Sequence, residues 1–257
     1  MVRRVLRALP CLLAFSVPAA AMVGGAPPAS DDIARHVVLI VGSRGNSCTG
    51  VAVARDLVLT VAHCVLPGAD YKLVEYGAAR RPMLKDATAI VRHTQFDLNA
   101  MLAHRATADV ALMKLAEPLP AGIVPAVLGA RVPTVAGEAF VVAGFGVTVR
   151  GDGRTGGTVR TATLVATGRP GSLQLRLVDA VTRNERPGLG ACTGDSGAPV
   201  FEQAGGRLVV VGVVSWSTGA KNSAGCGGLT GVTPLARYRD WIADTAHRLG
   251  SPLAPAW

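Results

Sequence analysis

Short, largely apolar runs closed off by turn formers recur along most of this chain, and only one stretch near its end carries a helical period. Residues 36–41, 57–61, 110–115, 139–143 and 208–214 have the length and β-branched content of strands. Leu173, Leu175 and Leu177 alternate with Gln174 and Arg176, the period of a half-buried strand. Tyr238, Trp241, Ile242 and Leu249 instead return at roughly helical spacing. Many short strands before one terminal helix predict an all-β architecture, a barrel or a sandwich. Residues 117–125 (EPLPAGIVP) read as a crossover between two halves, and the polar, glycine-rich residues 150–158 as an exposed loop. Residues 251–257 read as a loose tail, and no internal sequence repeat is evident.

The N-terminus has the pattern of a secretory leader. Arg3, Arg4 and Arg7 give a positive start, residues 8–17 are mostly apolar, and Ala19-Ala20-Ala21 is a small-x-small cleavage site. The apolar stretch falls short of the about 20 residues that span a bilayer, and no later stretch is long and apolar enough. Pro10 before Cys11 argues against lipid attachment there. The expected division is a signal peptide over 1–21 and one functional domain over 22–257. The whole chain has 257 residues, 49% hydrophobic and 17% charged, which suits a globular fold with a substantial core.

Loss of the leader removes three of 26 basic residues and none of 17 acidic ones, leaving 23 against 17, a formal charge of +6. The remaining Lys and Arg are scattered, so no nucleic-acid partner is expected. Four cysteines follow the leader: Cys48, Cys64, Cys192 and Cys226. An even number in an exported chain predicts two disulfides, with three connectivities open. None lies in a C-x-x-C pair, and Asp70 and Glu75 are two separated acids, so neither a metal nor a cofactor is expected.

Three residues invite a chemical reading together. Ser196 lies in Gly194-Asp195-Ser196-Gly197-Ala198-Pro199, where glycines let the backbone turn and aim N–H groups at one spot. A serine hydroxyl is a weak nucleophile that needs a neighbouring base. His63, at the end of an apolar run and next to Cys64, is the candidate base; Asp109, at the head of Val110-Ala111-Leu112, is the candidate orienting acid.

From Met22 to about Leu249 the chain resembles the chymotrypsin-like (trypsin-fold) serine peptidases. The likeness rests on five segments in the family's order: Met22-Val23-Gly24-Gly25, Thr60-Val61-Ala62-His63-Cys64, Ala108-Asp109-Val110-Ala111-Leu112, Cys192-Thr193-Gly194-Asp195-Ser196-Gly197, and Val214-Ser215-Trp216-Ser217. Met22 departs from the usual Ile or Val. The resemblance implies two packed six-stranded antiparallel β-barrels with a C-terminal helix: one barrel over about 22–120, the second over about 121–235, the helix over about 236–249. It implies a catalytic row of His63, Asp109 and Ser196, an oxyanion hole from the N–H groups of Gly194 and Ser196, and disulfides Cys48–Cys64 and Cys192–Cys226. The amine of Met22, freed by leader removal, would pair with Asp195.

Gly190, Ala191, Ser217 and Gly231 would line the specificity pocket, and the backbone of Ser215 and Ser217 would pair with substrate. Gly190 stands where trypsin-like members carry an acid, so strict Arg/Lys specificity is not expected, and small walls at Ser217 and Gly231 imply an open pocket. The expected protein is a secreted monomer, extracellular or in a bacterial periplasm, free of the membrane after leader removal, acting on polypeptides and open to protein inhibitors. The rival reading is an inactive homologue serving as a binding protein. An α/β-hydrolase is disfavoured: Ala198 breaks the G-x-S-x-G elbow, and the one later histidine, His247, lies in the terminal helix.

Overall fold

The computed structural model describes residues 22–76, 81–129, 135–168 and 173–253; the leader reading for 1–21 lies outside them. Twelve strands form two closed antiparallel barrels, in agreement with the expected fold. The first comprises β1 (Val37–Gly42), β2 (Ser47–Ala54), β3 (Leu57–Thr60), β4 (Tyr71–Tyr76), β5 (Pro82–Arg92) and β6 (Ala111–Leu115). The second comprises β7 (Ala139–Gly144), β8 (Arg160–Ala166), β9 (Leu175–Val178), β10 (Pro199–Ala204), β11 (Arg207–Ser217) and β12 (Thr230–Pro234). The first closes in the order β1-β2-β3-β6-β5-β4 and the second as β7-β8-β9-β12-β11-β10, the same topology twice. No repeat in the residues announces that repetition, because barrel closure needs alternation and turns and not particular side chains.

β3 is buried along its whole length and β2 nearly so. One face of each fills the barrel while the other is covered, which explains their continuous apolar runs. Both runs therefore lack the alternation of a half-exposed strand. The pattern 173–177 is only partly realised: β9 begins at Leu175, Leu173 is exposed, and Gln174 is buried with its Oε1 accepting from Arg176 Nε at 3.3 Å.

Two connections tie the halves. Residues 22–29, expected with the first barrel, dock on the second: Val23 pairs with Gly190, Pro28 with Arg160, and Met22 and Ala26 are buried in its core. The crossover is a bonded strap. Leu119 N donates to Arg55 O, Val124 N to Arg35 O and Ala126 N to Ala52 O, before Leu128 pairs with Val210 of β11.

Among the described residues three α-helices complete the fold: α1 (Asp31–Ala34), α2 (Leu98–Leu102) and α3 (Arg239–Arg248). The expected terminal helix is α3, preceded by a 3-10 turn over Leu235–Tyr238. It buries Ile242 and Ala246 in the core shared with the first barrel. The tail is not loose at its start. Ser251 is buried, and its hydroxyl sits between Lys114 Nζ and Asp56 Oδ1, pinning the chain after α3. Among the described residues no helix is long and apolar enough to cross a membrane.

Candidate active site

The barrels meet where the three candidate residues lie. β3 runs into a 3-10 turn, Ala62–Val65, that carries His63, and the Cys48–Cys64 disulfide fastens this turn to β2. Asp109 precedes β6 and is fully buried. It accepts from His63 N at 3.0 Å (Oδ1) and from His63 Nδ1 at 2.8 Å (Oδ2). A carboxylate only accepts, so Nδ1 carries the proton and Nε2 is left as the basic nitrogen of the neutral ring. Ser215 of β11 donates a third bond to Asp109 Oδ2 at 2.5 Å. Three donors on one buried carboxylate offset its desolvation and fix its orientation.

Ser196 sits on the turn before β10. Asp195 N donates to Cys192 O, Ala198 N to Asp195 O and Gly197 N to Val214 O, which closes the turn tightly. Gly197 has φ +84, and a Cβ there would come within 2.0 Å of Thr49 O, so the position admits only glycine. Ser196 O accepts from Thr49 N at 2.8 Å, stitching the turn to β2 of the other barrel.

Ser196 and His63 line one cleft of about 340 Å³ with Gly194, Thr193 and Ser217. No hydrogen bond joins Ser196 Oγ to the imidazole among the described residues. Catalytic bonds of this kind often tighten only when substrate is bound. No acceptor among the described residues takes the N–H of Gly194 or of Ser196.

Asp195 is fully buried beside the nucleophile and receives Gly146 N on Oδ1 and Cys192 N on Oδ2, both at 2.9 Å. Burial pushes its carboxyl up to about 7, with the two backbone donors pulling the other way. No Lys, Arg or His side chain reaches it among the described residues. In the uncleaved chain the nitrogen of Met22 is a peptide group and carries no charge.

Against known proteins, the Trypsin family model matches residues 22–242. The chain belongs to the trypsin family. Among its relatives, human Kallikrein-15 is 28% identical over 224 residues, covering 79% of this chain and 82% of that protein. A trypsin-like protease of Streptomyces glaucescens is 27% identical over 243 residues, covering 90% of this chain and 84% of that protein. An inactive CLIP domain-containing serine protease A3 of Aedes aegypti is 30% identical over 157 residues, covering 53% of this chain but 31% of that protein. Membership and the likeness to several serine proteases support a serine-type peptidase.

The residues expected to line a specificity pocket lie with the second barrel of this trypsin-family chain. Gly190 pairs with Val23, Ala191 N donates to Thr230 Oγ1 at 3.1 Å, and Cys192 is bonded to Cys226. A Cβ at Gly231 would meet the Trp216 ring at 2.0 Å, so the missing side chain makes room for the indole. Trp216 also stacks on His104 at 4.5 Å between ring centroids, with the Arg176 guanidinium 5.6 Å from its own centroid.

Sequence reading assigned Ser215 a backbone part alone and missed its hydroxyl on Asp109. A serine in Val214-Ser215-Trp216 was the available signal: a hydroxyl on an otherwise apolar, buried strand has to find a partner.

Proposed function

We propose that this chain is an exported endopeptidase that hydrolyses peptide bonds through an acyl-enzyme on Ser196. The observation carrying the reading is His63, held through Nδ1 by buried Asp109 while it lines the same cleft as Ser196. Ser196 Oγ attacks the carbonyl carbon as its proton passes to His63 Nε2. The C–N bond then breaks and the imidazolium returns that proton to the departing amine. Water, activated by the same nitrogen, attacks the ester carbon, and Oγ recovers its proton. The unsatisfied N–H groups of Gly194 and Ser196 would take the oxyanion in both halves, where one such donor contributes about 2.7–4 kcal/mol.

The β10–β11 pairing ends at Val213, which leaves Ser215 to Ser217 an open edge for the acyl side of a substrate strand. With Gly190 at its base the pocket presents no carboxylate, so we expect apolar side chains to be preferred to Arg or Lys before the scissile bond. In the same reading the mature protein begins at Met22 and spans 22–257, its new amine pairs with Asp195, and no separate activation step is needed. Turnover that survives an extra residue ahead of Met22 would refute that activation scheme.

An organophosphonate probe tests the reaction. Covalent labelling of the protein, lost in Ser196→Ala, is the expected result. A folded protein that neither labels nor cleaves any member of a peptide panel would instead be a binding homologue, inactive as the Aedes aegypti relative is by its name.

A further inference from the structure

The cleft holding His63 and Ser196 continues beyond them. It shares Asn46, Ser47 and Thr193 with a neighbouring cavity of about 550 Å³, whose further lining includes Leu39, Tyr76, Phe145 and Val147. That cavity in turn shares Tyr76 and Phe145 with a third, of about 320 Å³, walled by Val37, Leu73 and Val74 of the first barrel and by Pro120 and Ile123 of the crossover strap. Each shares lining residues with the next, so the three lie in a row that we treat as one trough leading away from Ser196. Its lining changes along its length, from polar at Asn46, Ser47 and Thr193 to apolar at the far end.

Direction follows from what the trough avoids. Neither outer cavity is lined by any residue of β11 or β12, the strands beside which the acyl half of a substrate would lie. A polypeptide crossing Ser196 has only two ways out, so the trough takes the half that follows the scissile bond. Its one charged far-end residue is Glu75, already 3.5 Å from Lys85. Tyr76 is 47% exposed, so apolar area is available to be covered.

We propose that Tyr76, Phe145 and Ile123 form a site that selects apolar side chains in the substrate segment after the scissile bond. This deepens the peptidase reading above and rests on it. The chain is thereby tuned to cleave ahead of hydrophobic segments, and its specificity lies partly on the leaving side. Binding energy there acts on the acylation step, because the leaving segment departs before the ester is hydrolysed.

The test uses the mature protein and two sets of peptides with a common acyl half. One set ends in a fluorogenic amine. The other is lengthened residue by residue after the scissile bond, with either leucine or serine at each added position. The expected result is a kcat/KM for leucine-bearing peptides higher than for serine-bearing ones on the order of tenfold. That ratio should fall toward one in Tyr76→Ser and again in Ile123→Ser, each compared with itself so that a general loss of activity cancels. If one variant fails to fold, the other carries the comparison. A leucine-to-serine ratio near one in the unaltered protein overturns the trough while fluorogenic turnover leaves the peptidase reading standing. No turnover of either set, with no labelling of Ser196, overturns both.

Discussion

Two buried carboxylates stand near the candidate nucleophile Ser196, and their surroundings differ in kind. Asp109 has three donors, two from His63 of its own barrel and one from Ser215 of the other. Asp195 has two backbone N–H donors and, among the described residues, no side-chain partner, and burial pushes it up to about 7. The first is therefore satisfied by the fold as it stands. The second needs either a proton or a cation, and none of the described side chains supplies one. One carboxylate is set by barrel packing, and the other, in the proposed reading, depends on an amine freed at Met22. The contrast separates assembly of the catalytic row from its readiness.

The largest effect should come from Asp109. In Asp109→Asn the amide keeps the shape but brings donors where the carboxylate accepted three bonds, so His63 is pushed to the wrong tautomer. The same replacement in the trypsin triad lowers kcat about 10⁴-fold. A loss of similar size is expected here, measured on a fluorogenic peptide with the fold checked by circular dichroism. Activity within about tenfold of the unaltered protein would erase the contrast between the two acids.

The next effect belongs to Asp195 and concerns pH. Its folded value of about 7 lies above the ordinary carboxylate value of 3.8, so its contribution to stability is fully present below about 4 and is lost as pH rises through about 7. The whole loss is on the order of 4 kcal/mol. Other acids, such as Asp56 and Asp179, are held below their usual range and act in the opposite sense. The comparison is therefore with Asp195→Asn. Denaturant titrations across that range should show the full chain losing stability relative to its Asn variant. A chain beginning at Met22 should not, because its amine supplies the cation. Equal curves for both chains would mean that the amine never reaches Asp195.

How much of this was legible beforehand depends on where the partner lies. The short strands were readable from apolar runs, the two barrels only through the family resemblance, and His63, Asp109 and Ser196 as candidates from their local surroundings. Contacts between distant segments were not. Ser251 reaches Asp56 across 195 positions, and neither residue has a neighbour that announces it. Gly231 looked like open space, since sequence does not reveal that the Trp216 indole lies against it. Residues 22–29 belong with the first barrel by chain order, yet Val23 finds its pairing edge at Gly190 in the second. Asp195 could be read as needing a cation, but its two backbone donors depend on how the turn folds around Gly146.

The smallest effect asks whether the third donor on Asp109 matters to chemistry or only to packing. Ser215→Ala removes a bond to a charged acceptor, worth about 1.5–3 kcal/mol in stability. The expected loss in kcat/KM is on the order of tenfold, because Asp109 keeps both bonds from His63 and loses only the contact that orients it from the second barrel. Ser215 also lies on the proposed substrate edge, so the single variant does not distinguish the two routes. A double-mutant cycle with Asp109→Asn does. If the hydroxyl acts through the carboxylate, Ser215→Ala should cost little further activity once Asp109 is Asn. Losses that simply multiply would assign Ser215 to the substrate strand and leave Asp109 held by His63 alone.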